Sequence, residues 1–130
     1  MDESILLREA QSAREQSYCP YSGYAVGACL ESRDGRRFRG CNVENASYGL
    51  TICAERSAVV QAVARGAMEF TRIAVAAEGA MPYPCGACLQ VLREFGSDGM
   101  EIMLTDGKRT ERTTLGALLP AKFVLDKADE

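Results

Sequence analysis

Apolar and polar positions follow two different periods along this chain, and the changes of period mark its elements. Ile5, Leu6, Ala10 and Ala13, with Glu9 among them, recur at helical spacing. They predict an amphipathic helix over 3–16, closed by Pro20. Residues 24–32 and 36–42 read as two strands, and the Asp34-Gly35 pair between them is a hairpin turn signal. Residues 53–65 are alanine-rich, with apolar side chains at 58, 59, 62 and 63 and Gly66 placed as a C-cap, so they predict a helix. The run 72–77 is short and continuously apolar, the pattern of a strand buried on both faces. A second buried helix is expected over 85–95, with Pro84 suited to its first turn and Gly96 to its end. Strands at 101–105 and 108–113 flank an Asp106-Gly107 turn, and a short helix at 114–119 precedes Pro120.

The order α-β-β-α-β-α-β-β-α predicts an α/β fold of three layers, α-β-α, around a mixed five-stranded central sheet. The second Asp-Gly turn makes the last two strands an antiparallel C-terminal β-hairpin rather than a parallel crossover. The chain shows no internal repeat, low-complexity tract or linker, so 1–130 is expected to form a single domain. A chain this short gains from oligomerisation.

Composition changes the picture in three ways. A net charge of −3 and a pI of about 5.1 give no general attraction for phosphate backbones, which argues against a nucleic-acid partner. No apolar stretch approaches the roughly 18 residues needed to cross a bilayer. The first residues carry acids and lack a basic region followed by an apolar run, so no signal peptide is read and a cytoplasmic location is expected. The chain has six Cys and no His. Six thiols in a reducing compartment are not expected to form a disulfide framework. The absence of imidazole excludes Ser-His-Asp and Cys-His hydrolases and the two-His zinc proteases.

Three cysteines sit where metal ligands are useful. Cys53 begins one predicted helix, and Cys85 and Cys88 lie at the start of another within Pro84-Cys85-Gly86-Ala87-Cys88. The i, i+3 spacing puts Cys85 and Cys88 on one helix face. Helix N-termini favour thiolate over thiol, so two facing helix starts can gather three thiolates around one Zn²⁺ per chain. Structural zinc sites are closed by four protein ligands, whereas catalytic ones keep a position for water. Three thiolates leave the site with a formal charge near −1, which weakens the metal as a Lewis acid. Arg56 is the cation placed to offset it by hydrogen bonding to the sulfurs. Glu55, two residues after Cys53, is the candidate proton shuttle beside the zinc-activated water. Cys19, Cys29 and Cys41 are read as inert buried thiols.

These residues stand in a longer pattern. Its parts are Tyr21-Ser22-Gly23-Tyr24-Ala25-Val26-Gly27-Ala28, Gly40-Cys41-Asn42-Val43-Glu44-Asn45-Ala46-Ser47-Tyr48, Cys53-Ala54-Glu55-Arg56, Pro84-Cys85-Gly86-Ala87-Cys88 and Leu118-Leu119-Pro120. Over nearly its whole length the chain resembles the homotetrameric type of cytidine deaminase. The resemblance implies hydrolytic deamination of free cytidine and 2'-deoxycytidine in pyrimidine salvage. It implies that Asn42 and Glu44 bind the ribose hydroxyls. An amide and a carboxylate at i, i+2 in an extended segment do point to one side. It implies that Tyr24, standing where the family usually has Phe, packs on the base or sugar. The backbone groups of Ala54 and Cys85 are implied to read the pyrimidine edge. Phe123 matches a residue that neighbouring subunits contribute to the pocket, and Tyr48 lies in a loop at the subunit junction. One departure is plain: Leu89 follows Cys88 where the family usually has Arg, so charge balance rests more on Arg56.

Other readings compete. A deaminase of nucleoside antibiotics or modified cytosines shares the cysteine motifs but is not expected to keep the whole Asn42-to-Ser47 segment. Nucleic-acid editing deaminases commonly carry a His ligand. A non-catalytic zinc module needs a fourth ligand, such as Cys41 or Cys29. A redox protein using Cys85 and Cys88 needs neither Glu55 nor the Asn42/Glu44 pair.

Overall fold

The computed structural model describes residues 3–128. Helix α1 (Glu3–Ala13) tightens into a 3-10 turn at Arg14–Gln16, so the predicted span is helical to its end, with Ser17 rather than Pro20 as the stop. Strands β1 (Gly27–Ser32) and β2 (Arg37–Cys41) pair antiparallel around the Asp34-Gly35 turn. Helix α2 (Ala54–Ala64) is followed by Gly66 at φ 83°, the left-handed residue expected after a helix end. Strand β3 (Phe70–Ala76), helix α3 (Gly86–Phe95), strand β4 (Gly96–Thr105), strand β5 (Thr110–Thr114) and helix α4 (Leu115–Leu118) complete the order. The sheet runs β2-β1-β3-β4-β5, with β3 and β4 parallel and every other neighbouring pair antiparallel. The predicted mixed sheet and terminal hairpin are therefore present.

Several predicted boundaries are corrected. β1 begins at Gly27, not 24, because the Asn42 side chain takes over from the strand ladder there: the Val26 carbonyl still accepts the Asn42 backbone N–H at 3.2 Å, but Val26 N–H donates to Asn42 Oδ1 at 3.0 Å and Asn42 Nδ2 donates to the Tyr24 carbonyl at 2.8 Å. β4 begins at Gly96 rather than 101. Helix α3 passes straight into it, and a Cβ at Gly96 would meet Met100 Sδ at 2.5 Å. Lys108 and Arg109 belong to the turn, where both backbone N–H groups donate to Asp106 Oδ1 at 2.9 Å, so β5 starts at Thr110. Pro84 precedes the N-cap Cys85 and lies outside the first turn of α3.

The period-2 alternation of the strands sorts side chains to two cores. Leu30, Ile73, Val75, Ile102 and Leu104 pack with Ala54, Ala58, Leu89 and Leu92 beneath α2 and α3. Cys29, Ala74, Ala76 and Met103 face the other way and are covered by Leu6 and Ala10 of α1. The α2 face positions the site. A Cβ at Gly40 would lie 2.5 Å from both the Ala54 carbonyl and the Ala58 nitrogen, so only glycine lets the start of α2 rest on β2. α3 starts beyond the carboxyl end of β3, where open α/β sheets present their ligands.

Candidate active site

Two helix starts meet on this face. Cys53 is the N-cap of α2 and Cys85 the N-cap of α3, both with extended backbone. Neither is inside its helix, a one-residue correction that leaves each thiol beside unpaired helix N–H groups. Cys85 Sγ accepts the Cys88 N–H at 3.4 Å, and the two sulfurs are 3.4 Å apart. The Sγ atoms of Cys53, Cys85 and Cys88 all lie within 4.8 Å of one another. Among the described residues no fourth Cys or carboxylate joins the group. Cys29 is buried under α1 on the opposite face of the sheet, where desolvation pushes its thiol up to about 12. Three soft donors with an open fourth position suit a tetrahedral zinc ion of the catalytic kind. Cys53 and Cys88 share a proton: the hydrogen bond from the Cys88 thiol, and after it the Arg56 guanidinium, hold Cys53 below the usual thiol range, and the same bond pushes Cys88 above it.

Arg56 Nη2 is 3.5 Å from Cys53 Sγ and 3.3 Å from the Thr51 carbonyl. Its Nε is buried and without a hydrogen-bond partner among the described residues, leaving that donor of the guanidinium uncommitted. Glu55, in the first turn of α2, is buried, and that burial pushes its carboxyl up to about 7. A carboxyl poised near neutrality both takes and gives protons at working pH. Leu89 packs into the main core, so the position after Cys88 brings no cation to the cluster.

A cleft of about 250 Å³ opens beside the thiols, on the small-molecule scale. Tyr24, Asn42, Glu44, Tyr48, Cys53, Ala54, Glu55 and Cys85 are among its lining residues. A profile of the family described as the cytidine and deoxycytidylate deaminase zinc-binding region matches residues 1–104. The chain belongs to this deaminase family. The cytidine deaminase of Sporosarcina psychrophila is 46% identical over 125 residues, 95% of this chain and 92% of that protein. The cytidine deaminase of Halalkalibacterium halodurans is 42% identical over the whole of both chains. The crystal structure of cytidine deaminase from Burkholderia pseudomallei superposes with a TM-score of 0.90 at 46% identity, covering 95% of this chain and 100% of that one. The cofactor of this deaminase is zinc, and the three-cysteine cluster fits one ion per chain.

Placed against this deaminase fold, the sequence-derived residues divide cleanly. Tyr24, Asn42, Glu44, Tyr48, Cys53, Ala54, Glu55 and Cys85 share the cleft. Cys88 is fully buried behind its wall. Phe123 is not brought to this chain's own cleft. It is 68% exposed on the segment after α4, where the Gln90 amide grips its backbone: Gln90 Nε2 donates to the Phe123 carbonyl at 2.9 Å and Phe123 N–H donates to Gln90 Oε1 at 3.1 Å. Tyr24 spends its hydroxyl on the Ala80 carbonyl at 2.6 Å, tying the cleft to the loop before α3. Cys19 and Cys41 are only half-buried, so the expectation of inert core thiols holds fully for Cys29 alone. Ser22, Val26, Thr51, Pro82 and Tyr83 also line the cleft and carried no assigned role. Ser22 stands inside the quoted Tyr21-to-Ala28 pattern. The signal for Tyr83 was weaker, an aromatic in a proline-flanked loop.

Proposed function

We propose that this chain hydrolyses free cytidine and 2'-deoxycytidine to uridine and 2'-deoxyuridine, releasing ammonia, as one deaminase domain over 1–130 serving pyrimidine salvage. The observation that carries the proposal is a buried carboxyl, Glu55, beside a three-thiol cluster on the wall of a small-molecule cleft. Cys53, Cys85 and Cys88 would hold the zinc, which when bound would supply Lewis acidity to make water a nucleophile near neutral pH. Glu55 takes a proton from the attacking water and delivers it to ring N3 while the oxygen adds at C4. It then carries the second proton to the exocyclic nitrogen, which leaves as ammonia. Its burial supports this, because one group must be base and acid in turn. Arg56, against Cys53 Sγ, offsets the excess negative charge of three thiolates, a duty made heavier by Leu89. Asn42 and Glu44 take the sugar hydroxyls, Tyr24 packs on the nucleoside, and the backbone of Ala54 and Cys85 reads the pyrimidine edge.

The working unit in this proposal is a homotetramer. Tyr21, Val43, Tyr48, Leu50 and Ile52 are exposed apolar side chains near the cleft, and Tyr21 and Tyr48 meet edge to face at 6.4 Å. Such a patch fits an interface. Phe123 then enters a neighbouring subunit's cleft, with Tyr48 at the junction. No helix among the described residues is long and apolar enough to cross a membrane, and six unpaired thiols suit a reducing cytoplasm, where we place the protein. Zinc-loaded protein incubated with cytidine is expected to release uridine and ammonia in equal amounts. Zinc-replete protein that leaves both cytidine and deoxycytidine unchanged contradicts the proposal.

A further inference from the structure

Glu44 is buried, yet its carboxylate reaches the cleft wall already engaged by the loop opposite. Its Oε1 accepts the Tyr21 N–H at 2.9 Å and the Ser22 N–H at 3.1 Å, which uses both lone pairs of that oxygen. Its Oε2 accepts the Ser22 hydroxyl at 2.5 Å and keeps one lone pair. The Ser22 oxygen in turn accepts the Tyr24 N–H at 3.0 Å. The Glu44 carboxylate can only accept, so the single proton of the hydroxyl points to it. The chain of donation runs Tyr24 N–H to Ser22 O–H to Glu44, and it fixes which carboxylate oxygen keeps free acceptor capacity.

We infer that Ser22 is a positioning residue for sugar recognition: its hydroxyl orients Glu44 so that Oε2 offers one free lone pair to a nucleoside hydroxyl. The inference rests on the proposal that Glu44 binds the sugar. The Ser22 hydroxyl also helps keep the Glu44 carboxyl below its usual range, so Glu44 meets the ligand as an acceptor. Ser22 is exposed, so its removal leaves no cavity. Without it, Oε1 stays tethered by two N–H groups while Oε2 is free to turn away from the cleft.

The test compares wild type, Ser22→Ala and Ser22→Thr as zinc-loaded proteins, with cytidine and with 2',3'-dideoxycytidine, which lacks the 2'- and 3'-hydroxyls that Glu44 is proposed to hold and keeps only the 5'-hydroxyl. Ser22→Ala is expected to raise KM for cytidine roughly tenfold, the worth of one hydrogen bond to a charged group, with kcat little changed. KM for the dideoxynucleoside should move less than twofold in this variant, and Ser22→Thr should restore the cytidine value. Equal losses on both nucleosides, or an unchanged KM for cytidine, overturn the inference while leaving the deaminase proposal intact. Equilibrium binding of cytidine to zinc-loaded Glu55→Gln provides a second readout free of turnover. Adding Ser22→Ala should weaken that binding by a similar factor. If the Glu55→Gln protein binds no cytidine and zinc-loaded wild type does not turn it over, the nucleoside reading fails and the role of Ser22 falls with it.

Discussion

Arg56 and Cys29 show how far a single residue's chemistry depends on its surroundings. Arg56 is half-buried with one nitrogen against a ligand sulfur and another unpaired, and no cation stands at position 89. Arg56→Ala is therefore expected to lower zinc retention or activity by about tenfold, read as bound zinc per chain after dialysis and as turnover. Full zinc content with an unchanged pH profile would remove the charge-balance role. Cys29 lies under α1 with its thiol pushed up to about 12 by burial, so it is neutral at pH 8 and cannot act as a thiolate nucleophile. Alkylation followed by mass spectrometry should leave Cys29 unmodified in native protein and modify it after denaturation. The candidate chemical residues stand out in the sequence because zinc ligation and proton transfer restrict residue type and spacing: three Cys that the fold gathers into one cluster, one adjacent Glu, no His. Ser22 and Thr51 do not, because a hydroxyl has no type-specific signature until its partner across the fold is known. Tyr24 was legible as a cleft aromatic, but its bond to the Ala80 carbonyl spans a distance in sequence that no local pattern encodes.

Among the elements, helices and Asp-Gly turns were legible because their signals are local: apolar spacing, and residues that tolerate or cap a particular backbone. The boundaries that moved did so for tertiary reasons. The Asn42 amide replaces ladder bonds before β1, and close packing of Gly96 on Met100 lets β4 start directly from α3. The packing of α2 on β2 has a similar sensitivity at Gly40. A methyl there meets backbone atoms of Ala54 and Ala58, which cannot yield without shifting the helix that carries Cys53 at its N-cap. Gly40→Ala should cost about 1–3 kcal/mol of stability by overpacking and weaken zinc binding in the same variant. Denaturant unfolding and a competitive zinc titration check the two effects. A variant that loses stability but keeps wild-type zinc affinity would show that the helix start does not set the cluster.

For the molecule as a whole, the sequence carried the fold class and the chemistry but little of the assembly, because a subunit interface has no period and no fixed spacing. Exposed apolar side chains by the cleft and an aromatic held out from the body by Gln90 are the surface that the proposed tetramer would cover. If Phe123 serves a neighbouring cleft, Phe123→Ala raises KM for cytidine several-fold, as loss of a buried aromatic contact does, with unchanged zinc content and a tetrameric mass by light scattering expected for both the variant and wild type. Unchanged kinetics in a tetrameric variant would confine Phe123 to its own subunit. The most direct measurement compares wild type and Glu55→Gln in a cytidine absorbance assay, with zinc quantified in both. Wild type is expected to convert cytidine to uridine. The variant should carry the same zinc, one ion per chain, and fall by at least a hundredfold, the lower range of what a positioned acid–base group contributes. A zinc-replete Glu55→Gln protein that still turns over cytidine at the wild-type rate would contradict the assignment of Glu55, and a zinc-replete wild type without turnover would contradict the deaminase itself.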